Sequence, residues 1–309
     1  MCRLFGFRSA VLSRAHRSLI EAENALAQQA TSHPDGWGLA YFHHGEPYLI
    51  KSARGAADSA SFRRASESLA SHTMVAHVRR ATVGDLSSFN VHPFRHGRWV
   101  CAHNGTLFGF DTLGPRLMAE MRGDLGSRVL GTTDSETLFF WLLSRLEAVG
   151  IDPLGNVDPE VGLLTDTLLD AHARLRAHAL AAGAETPVVN FILTNGSTFC
   201  AQRFGRDLFL ASQKIRCRDA HTCPWPDRIC LEPERFDGRL NHLLLASERI
   251  GDEDRWERVP DATLLVVGPD FRLVTAPLPG GPHVRGDCAG CRLPDLYAFR
   301  DEPGPPRSV

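Results

Sequence analysis

The sequence predicts an α+β fold in which two β-sheets share a core with flanking helices. Three observations carry this. Strand-type segments fill both ends of the chain and long helix-type stretches lie between them, the order expected of segregated sheets and helices. No linker-like stretch interrupts residues 1–277, so one domain is expected there, and the Pro- and Gly-rich residues 278–309 read as a surface tail. Hydrophobic residues at 43% and charged residues at 23% are the proportions of an ordinary globular chain.

Each element has its own signal. Residues 2–7 carry apolar side chains at 2, 4, 5 and 7 and read as a short, largely buried strand. Residues 17–30 read as a helix that stops before the breaker cluster Ser32-His33-Pro34-Asp35-Gly36. Strands are expected at 37–42 and 47–50, joined across His43-His44-Gly45-Glu46, with a weakly amphipathic helix at 57–71. The β-branched and apolar stretch 73–78 predicts a strand that runs into Arg79-Arg80. After a polar loop at 82–93, a strand at 99–102 leads to Asn104-Gly105, the strongest hairpin dipeptide. Thr133 and Glu136 have capping-box spacing at the start of a helix reaching Ala148, and another helix is expected over 160–182. A hairpin follows, with strands at 188–193 and 199–204 about the Asn195-Gly196 turn, then strands at 208–211, 242–246, 264–267 and 272–275. There is no internal repeat.

Composition narrows the function classes. A net charge of −2 leaves no nucleic-acid or membrane footprint. Lys51 and Lys214 are the only lysines, so the positive charge is almost all arginine, which suits carboxylate ligands. No apolar run approaches the ~18–20 residues of a membrane span. Arg3, Arg8, Arg14 and Arg17 break up any signal-peptide core, which makes the cytoplasm the expected location. The eight cysteines are scattered, as expected of reduced thiols rather than a disulfide scaffold. Cys288-x-x-Cys291 has metal-ligand spacing, and Cys217, His221, Cys223 and Cys230 are the residues able to complete a set of four ligands. Ordinary thiols are the preferred reading, with no metal and no cofactor.

The chemistry-bearing stretches begin at Met1-Cys2. Removing Met1 leaves a cysteine with a thiol and a free α-amine, a nucleophile and a base on one residue, the amine having a pKa of about 7.7–8.0. Four later stretches each have a plain reading beside a functional one. Asp35-Gly36-Trp37-Gly38 is a helix-ending turn or a pocket lining. His77-Val78-Arg79-Arg80-Ala81-Thr82 ends a strand in solvated arginines or in a cation for a substrate carboxylate. His103-Asn104-Gly105 is a tight turn or a pair of oxyanion donors, Asn104 through its amide and Gly105 through its backbone N–H. Asp134 is a helix-start residue or an anion for a substrate ammonium. Together they meet the needs of attack on a glutamine-like side chain, whose α-amino-acid end requires both charges.

These motifs, with Asn90-Val91-His92-Pro93-Phe94 and Thr133-Asp134-Ser135-Glu136, follow in order from residue 1 to about 140, and the chain thereby resembles the class II glutamine amidotransferases of the N-terminal-nucleophile hydrolase superfamily. The resemblance implies a four-layer αββα sandwich with Cys2 at the edge of a central sheet. It implies Cys2 as nucleophile and, through its freed amine, base. Asn104 and Gly105 become the oxyanion hole, Arg79 the site of the substrate α-carboxylate and Asp134 that of its α-ammonium. Asp35, Gly36, Trp37, His77 and Thr82 are the further substrate-binding candidates. Arg80 and Val83 stand where the large synthases of the class have tryptophan and histidine. That favours the small stand-alone branch, which includes γ-glutamyl hydrolases of ergothioneine biosynthesis and glutathione degradation. The substrate implied is a small γ-glutamyl molecule whose leaving group stays open, and no cofactor is required. A glutaminase subunit that delivers ammonia to a separate synthetase is the alternative. A synthetase or a second copy of the chain are the protein partners left open, with neither nucleic acid nor membrane among them.

Overall fold

Side-chain alternation along the first strand sets up the architecture. In the computed structural model, which describes residues 2–81, 84–216 and 238–282, β1 (Arg3–Arg14) sends Phe5 and Phe7 to one side and Leu4 to the other. The remaining strands are β2 (Trp37–His43), β3 (Glu46–Ser52), β4 (Ala70–Val78), β5 (Phe94–His96), β6 (Trp99–Thr106), β7 (Val188–Thr194), β8 (Phe199–Arg203), β9 (Phe209–Ala211), β10 (His242–Ala246), β11 (Glu257–Arg258), β12 (Thr263–Val267) and β13 (Leu273–Pro277). They form a seven-stranded sheet in the order β11-β9-β10-β1-β4-β2-β3 and a six-stranded sheet in the order β13-β12-β8-β7-β6-β5. The neighbouring strands pair antiparallel.

Three apolar cores separate four layers. Leu4, Ala40, Val75, Val100, Ala102 and Ile192 pack between the two sheets. Phe5, Phe7, Trp37, Met74 and Val78 pack on the outer side of the first sheet with Leu26 of α1 (Leu26–Gln29) and Phe62 of α2 (Ala60–Ser68). The outer side of the second sheet carries α3 (Phe110–Ala119), α4 (Asp134–Ala148) and α5 (Val161–Ala181), through residues such as Leu117, Trp141 and Leu168. The fold is an αββα sandwich. Among the described residues no helix is long and apolar enough to cross a membrane.

A Cβ on Gly38 of β2 would lie 2.0 Å from the His92 carbonyl oxygen, so only glycine lets the segment entering β5 pass there.

Several expectations are corrected. Residues 17–30 are not one helix: a π-helical turn spans Arg17–Glu21, and Ala22 and Ala25 are extended before α1. Tertiary bonds win over propensity here, since Asn24 donates from its backbone to Ile250 O at 3.0 Å and from its side chain to Arg249 O at 2.7 Å. The helix expected over 57–71 is shorter, starting after Ser59, whose hydroxyl accepts from Phe62 N–H at 3.2 Å. Asn104-Gly105 is no turn, because β6 runs straight through it. The short strands β5 and β11 were below the reach of periodicity. Thr82, Val83 and the candidate metal ligands Cys217, His221, Cys223, Cys230, Cys288 and Cys291 lie outside the described residues.

Candidate active site

Strand parity decides which side chains meet. The register of β1 and β4 sets Arg3 opposite Val78 and Leu4 opposite His77, and one further step brings Cys2 level with Arg79. Cys2 shares the inter-sheet face with Leu4 and lies beside the same end of β4 as His77 and Arg79. On the facing sheet Val100 and Ala102 point into the inter-sheet core, and the alternation carries Asn104 to the same face. Its cross-strand partner is Asn190. Side chains from both sheets therefore converge at one end of the sandwich.

Cys2 is partly exposed. The Arg80 N–H donates to its sulfur at 3.4 Å, and the thiol lies 3.4 Å from the Arg80 carbonyl. Burial pushes the thiol up from its ordinary value; the Arg80 amide and the Arg79 guanidinium oppose that shift, and Asp134 adds to it. The thiol is neutral near pH 7 and needs a base to become a nucleophile. Those influences also place a cation and an anion within electrostatic reach of the sulfur.

Arg79 is 3% exposed and held from both ends. Its backbone N–H donates to Gly36 O at 2.8 Å, and its guanidinium donates to the carbonyls of Asp85 at 3.0 Å and Gly84 at 3.2 Å. Asn90 anchors that loop, its amide donating to Asp85 Oδ1 at 2.8 Å while its own Oδ1 accepts from Thr132 N–H at 2.8 Å. Thr132 leads into α4, so one network joins the loop receiving Arg79 to the turn presenting Asp134.

Thr133 caps α4, its hydroxyl accepting from Glu136 N–H at 3.3 Å, while the Glu136 carboxylate turns to Gly131 N–H instead of closing the capping box. Asp134 Oδ2 accepts from Leu107 N–H at 2.8 Å and Oδ1 from the Ser135 hydroxyl at 3.1 Å. Ser135 meets His103 Nδ1 at 2.8 Å, and His103 Nε2 lies 3.4 Å from Val188 O. This chain of contacts ends in an acceptor at each end, and a neutral imidazole plus one hydroxyl cannot supply a proton to every link. Burial keeps His103 below its ordinary value.

Gly105 is a strand glycine for steric reasons: a Cβ there would lie 2.0 Å from Val188 O and 2.4 Å from His103 Nε2. Asp35 clamps the turn, its carboxylate accepting from Ala81 N–H at 2.8 Å. Gly36 supplies the φ of +127° at that turn. Trp37 departs from the expected pocket lining. Its indole is wholly buried against Phe62, ring centroids 5.0 Å apart, on the helix-facing side of the sheet. The parity that turns Gly38 inward turns Trp37 outward. One residue with no motif of its own also belongs here: Arg206, in the turn after β8, interacts electrostatically with Cys2 and with His103.

Behind the site His77 and His92 stack with centroids 4.2 Å apart. Burial pushes His77 down to about 3 and His92 well below its ordinary value. Away from the site, burial also holds His172 and His242 near about 4. The unfolded chain takes up these protons near pH 6.5 and the native chain does not, so stability is full above that pH and is lost as pH falls toward about 3. Each such group contributes a slope of up to about 1.4 kcal/mol per pH unit. The urea midpoint is expected to hold steady from about pH 8 to 7 and to fall between about 6.5 and 5, before most carboxylates titrate. A flat midpoint down to pH 5 would contradict neutral burial of these rings.

Comparison with known proteins shows the family and the fold. A family model described as glutamine amidotransferases class-II matches residues 1–272. Probable glutamine amidotransferase DUG3 of Saccharomyces cerevisiae is 27% identical over 295 residues, covering 86% of this chain and 82% of that protein. Gamma-glutamyl-hercynylcysteine sulfoxide hydrolase of Mycobacterium tuberculosis is 29% identical over 234 residues, 75% of each chain. Among solved structures, a glutamine aminotransferase class-II domain protein from Silicibacter pomeroyi superposes with a TM-score of 0.59 at 19% identity, covering 91% of this chain and all of that one, a likeness of fold. A thiol at the start of a central strand, a matching family over most of the length and a shared sandwich lead to one conclusion: the chain is an enzyme of the class II glutamine amidotransferase family.

Proposed function

We propose that this enzyme hydrolyses a γ-glutamyl amide bond, in glutamine or a γ-glutamyl compound, through a γ-glutamyl thioester on Cys2, and releases glutamate. The observation that carries the reading is the pair of buried opposite charges, Arg79 and Asp134, acting on the Cys2 thiol. An α-amino acid brings a carboxylate and an ammonium, and a guanidinium and a carboxylate held by backbone bonds are pre-organised for both.

In this mechanism the freed Cys2 amine takes the thiol proton, directly or through water. The thiolate attacks the γ-carbonyl, and Asn104 with the Gly105 N–H receives the oxyanion. The tetrahedral adduct collapses, the amine leaves with a proton, and a thioester remains. Water then attacks the thioester with the same amine as base, and glutamate departs.

The base requirement gives the test. A chain carrying an uncleaved N-terminal extension has no free Cys2 amine and is expected to release no glutamate, whereas proteolytic exposure of Cys2 switches hydrolysis on. Intact mass and glutamate release, followed together through the cleavage, check this. Equal turnover before and after cleavage would overturn the role of the amine.

A further inference from the structure

The Arg206 backbone is held by the protein, yet its buried Nε meets no hydrogen-bond partner among the described residues. Its backbone is clamped: the Arg206 carbonyl accepts from Asn190 Nδ2 at 3.1 Å and from Arg203 Nε at 2.7 Å. Asn190 sits directly across from Asn104, so the clamp sets the Arg206 backbone beside the strand pair that carries the candidate oxyanion donor. The adjacent carboxylate, Asp207, is already engaged by Arg203 at 3.0 Å and by Arg258 Nε at 2.9 Å. Arg206 Nε is buried and has no hydrogen-bond partner among the described residues. Arg206 as a whole is half-buried, and an arriving anion gives that buried donor the partner it lacks. Burial lowers this guanidinium from its ordinary value and the Cys2 thiol opposes that shift, so the two groups lie within electrostatic reach of each other.

The glutamyl half of the substrate does not need this cation. Arg79 already faces Cys2 from the first sheet for the α-carboxylate, and Asp134 supplies the opposite charge. Arg206 follows β8 of the second sheet, with its backbone bonded to the cross-strand partner of Asn104, and the part of the substrate still without a partner is the amine side of the scissile bond. We propose that Arg206 is the specificity-determining residue for the leaving group and binds a carboxylate on it. The preferred substrates are then γ-glutamyl amino acids or peptides rather than glutamine, whose leaving group is ammonia. The bond broken and the thioester formed are those of the proposed function, on which this inference rests. Arg206 adds only binding of the departing half.

The test compares the wild type with Arg206→Met and Arg206→Lys on glutamine, γ-glutamylglycine and γ-glutamylglycinamide, the last two differing only in the leaving-group carboxylate. Arg206→Met is expected to lower kcat/KM for γ-glutamylglycine by about 10-fold or more, to leave glutamine and γ-glutamylglycinamide within about 3-fold, and Arg206→Lys to recover part of the loss. Equal losses on all three substrates would overturn the proposal, because Arg206 would then act on Cys2 or on the fold. No loss on any, or a wild type confined to glutamine, would overturn it too. A wild type inactive on every γ-glutamyl compound would defeat the underlying γ-glutamyl reading itself, a failure visible before any variant is compared.

Discussion

Cys2→Ala, with Met1 removed, is expected to lower γ-glutamyl hydrolysis by on the order of 10⁴-fold or more while the fold stays intact. The size of the loss follows from the lack of a substitute. Cys101 and Cys200, the other free thiols among the described residues, are 1% and 0% exposed, and burial pushes both thiols far up. Neither can take over as nucleophile. The fold is expected to tolerate the change because Cys2 precedes β1 and, among the described residues, its sulfur has hydrogen-bond contact with the Arg80 backbone alone. Steady-state turnover alongside a thermal melt separates the two effects: activity disappears and the melting temperature stays within about 2 °C, the shift of a sub-kcal/mol change. Retained activity in the processed variant would remove Cys2 from the mechanism.

Asn104→Ala is expected to cost about 10²–10³-fold in kcat with KM changed only a few-fold. The amide on β6 contributes mainly when negative charge develops on the γ-carbonyl oxygen, so the loss falls on the transition state and not on the bound substrate. Asn104 is 5% exposed and lies on the inner face of a strand paired along its length with β7, which keeps the donor from reorganising during the reaction. Its neighbour cannot be tested in the same way. The Gly105 donor is a backbone N–H, and a side chain placed there would strike Val188 O and His103. A matched rise in KM with unchanged kcat for Asn104→Ala would make it a ground-state contact and remove it from the oxyanion hole.

How much of this was legible in the sequence depends on what kind of signal each residue carries. The β7–β8 hairpin and α4 announce themselves through an Asn-Gly turn and a cap, both local physics, and the structure has them where the pattern put them, whereas β1, expected over 2–7, runs on to Arg14. Asn104-Gly105 shows the limit of local signals. The same dipeptide that turns the chain at Asn195-Gly196 runs straight through β6, because a strand of the second sheet and the His103 ring crowd Gly105. Trp37 looked like pocket lining from its place in a motif, and the two-residue period, applied from Gly38, sends it to the opposite face. The broken stretch 17–30 failed for a tertiary reason, since Asn24 is bonded to Arg249 and Ile250, far away in sequence. Arg206 had no signal at all. Gly205-Arg206-Asp207 is an ordinary turn until the β6–β7 register brings Asn190 beside Asn104.

Covalent trapping reads the thioester on Cys2 itself. The processed enzyme is quenched with acid while turning over a γ-glutamyl substrate, and the intact chain and its N-terminal peptide are weighed. A γ-glutamyl increment is expected on the Cys2 peptide, removed by hydroxylamine and absent from Cys2→Ala. An increment on any other residue would contradict it, as would undiminished turnover by Cys2→Ala.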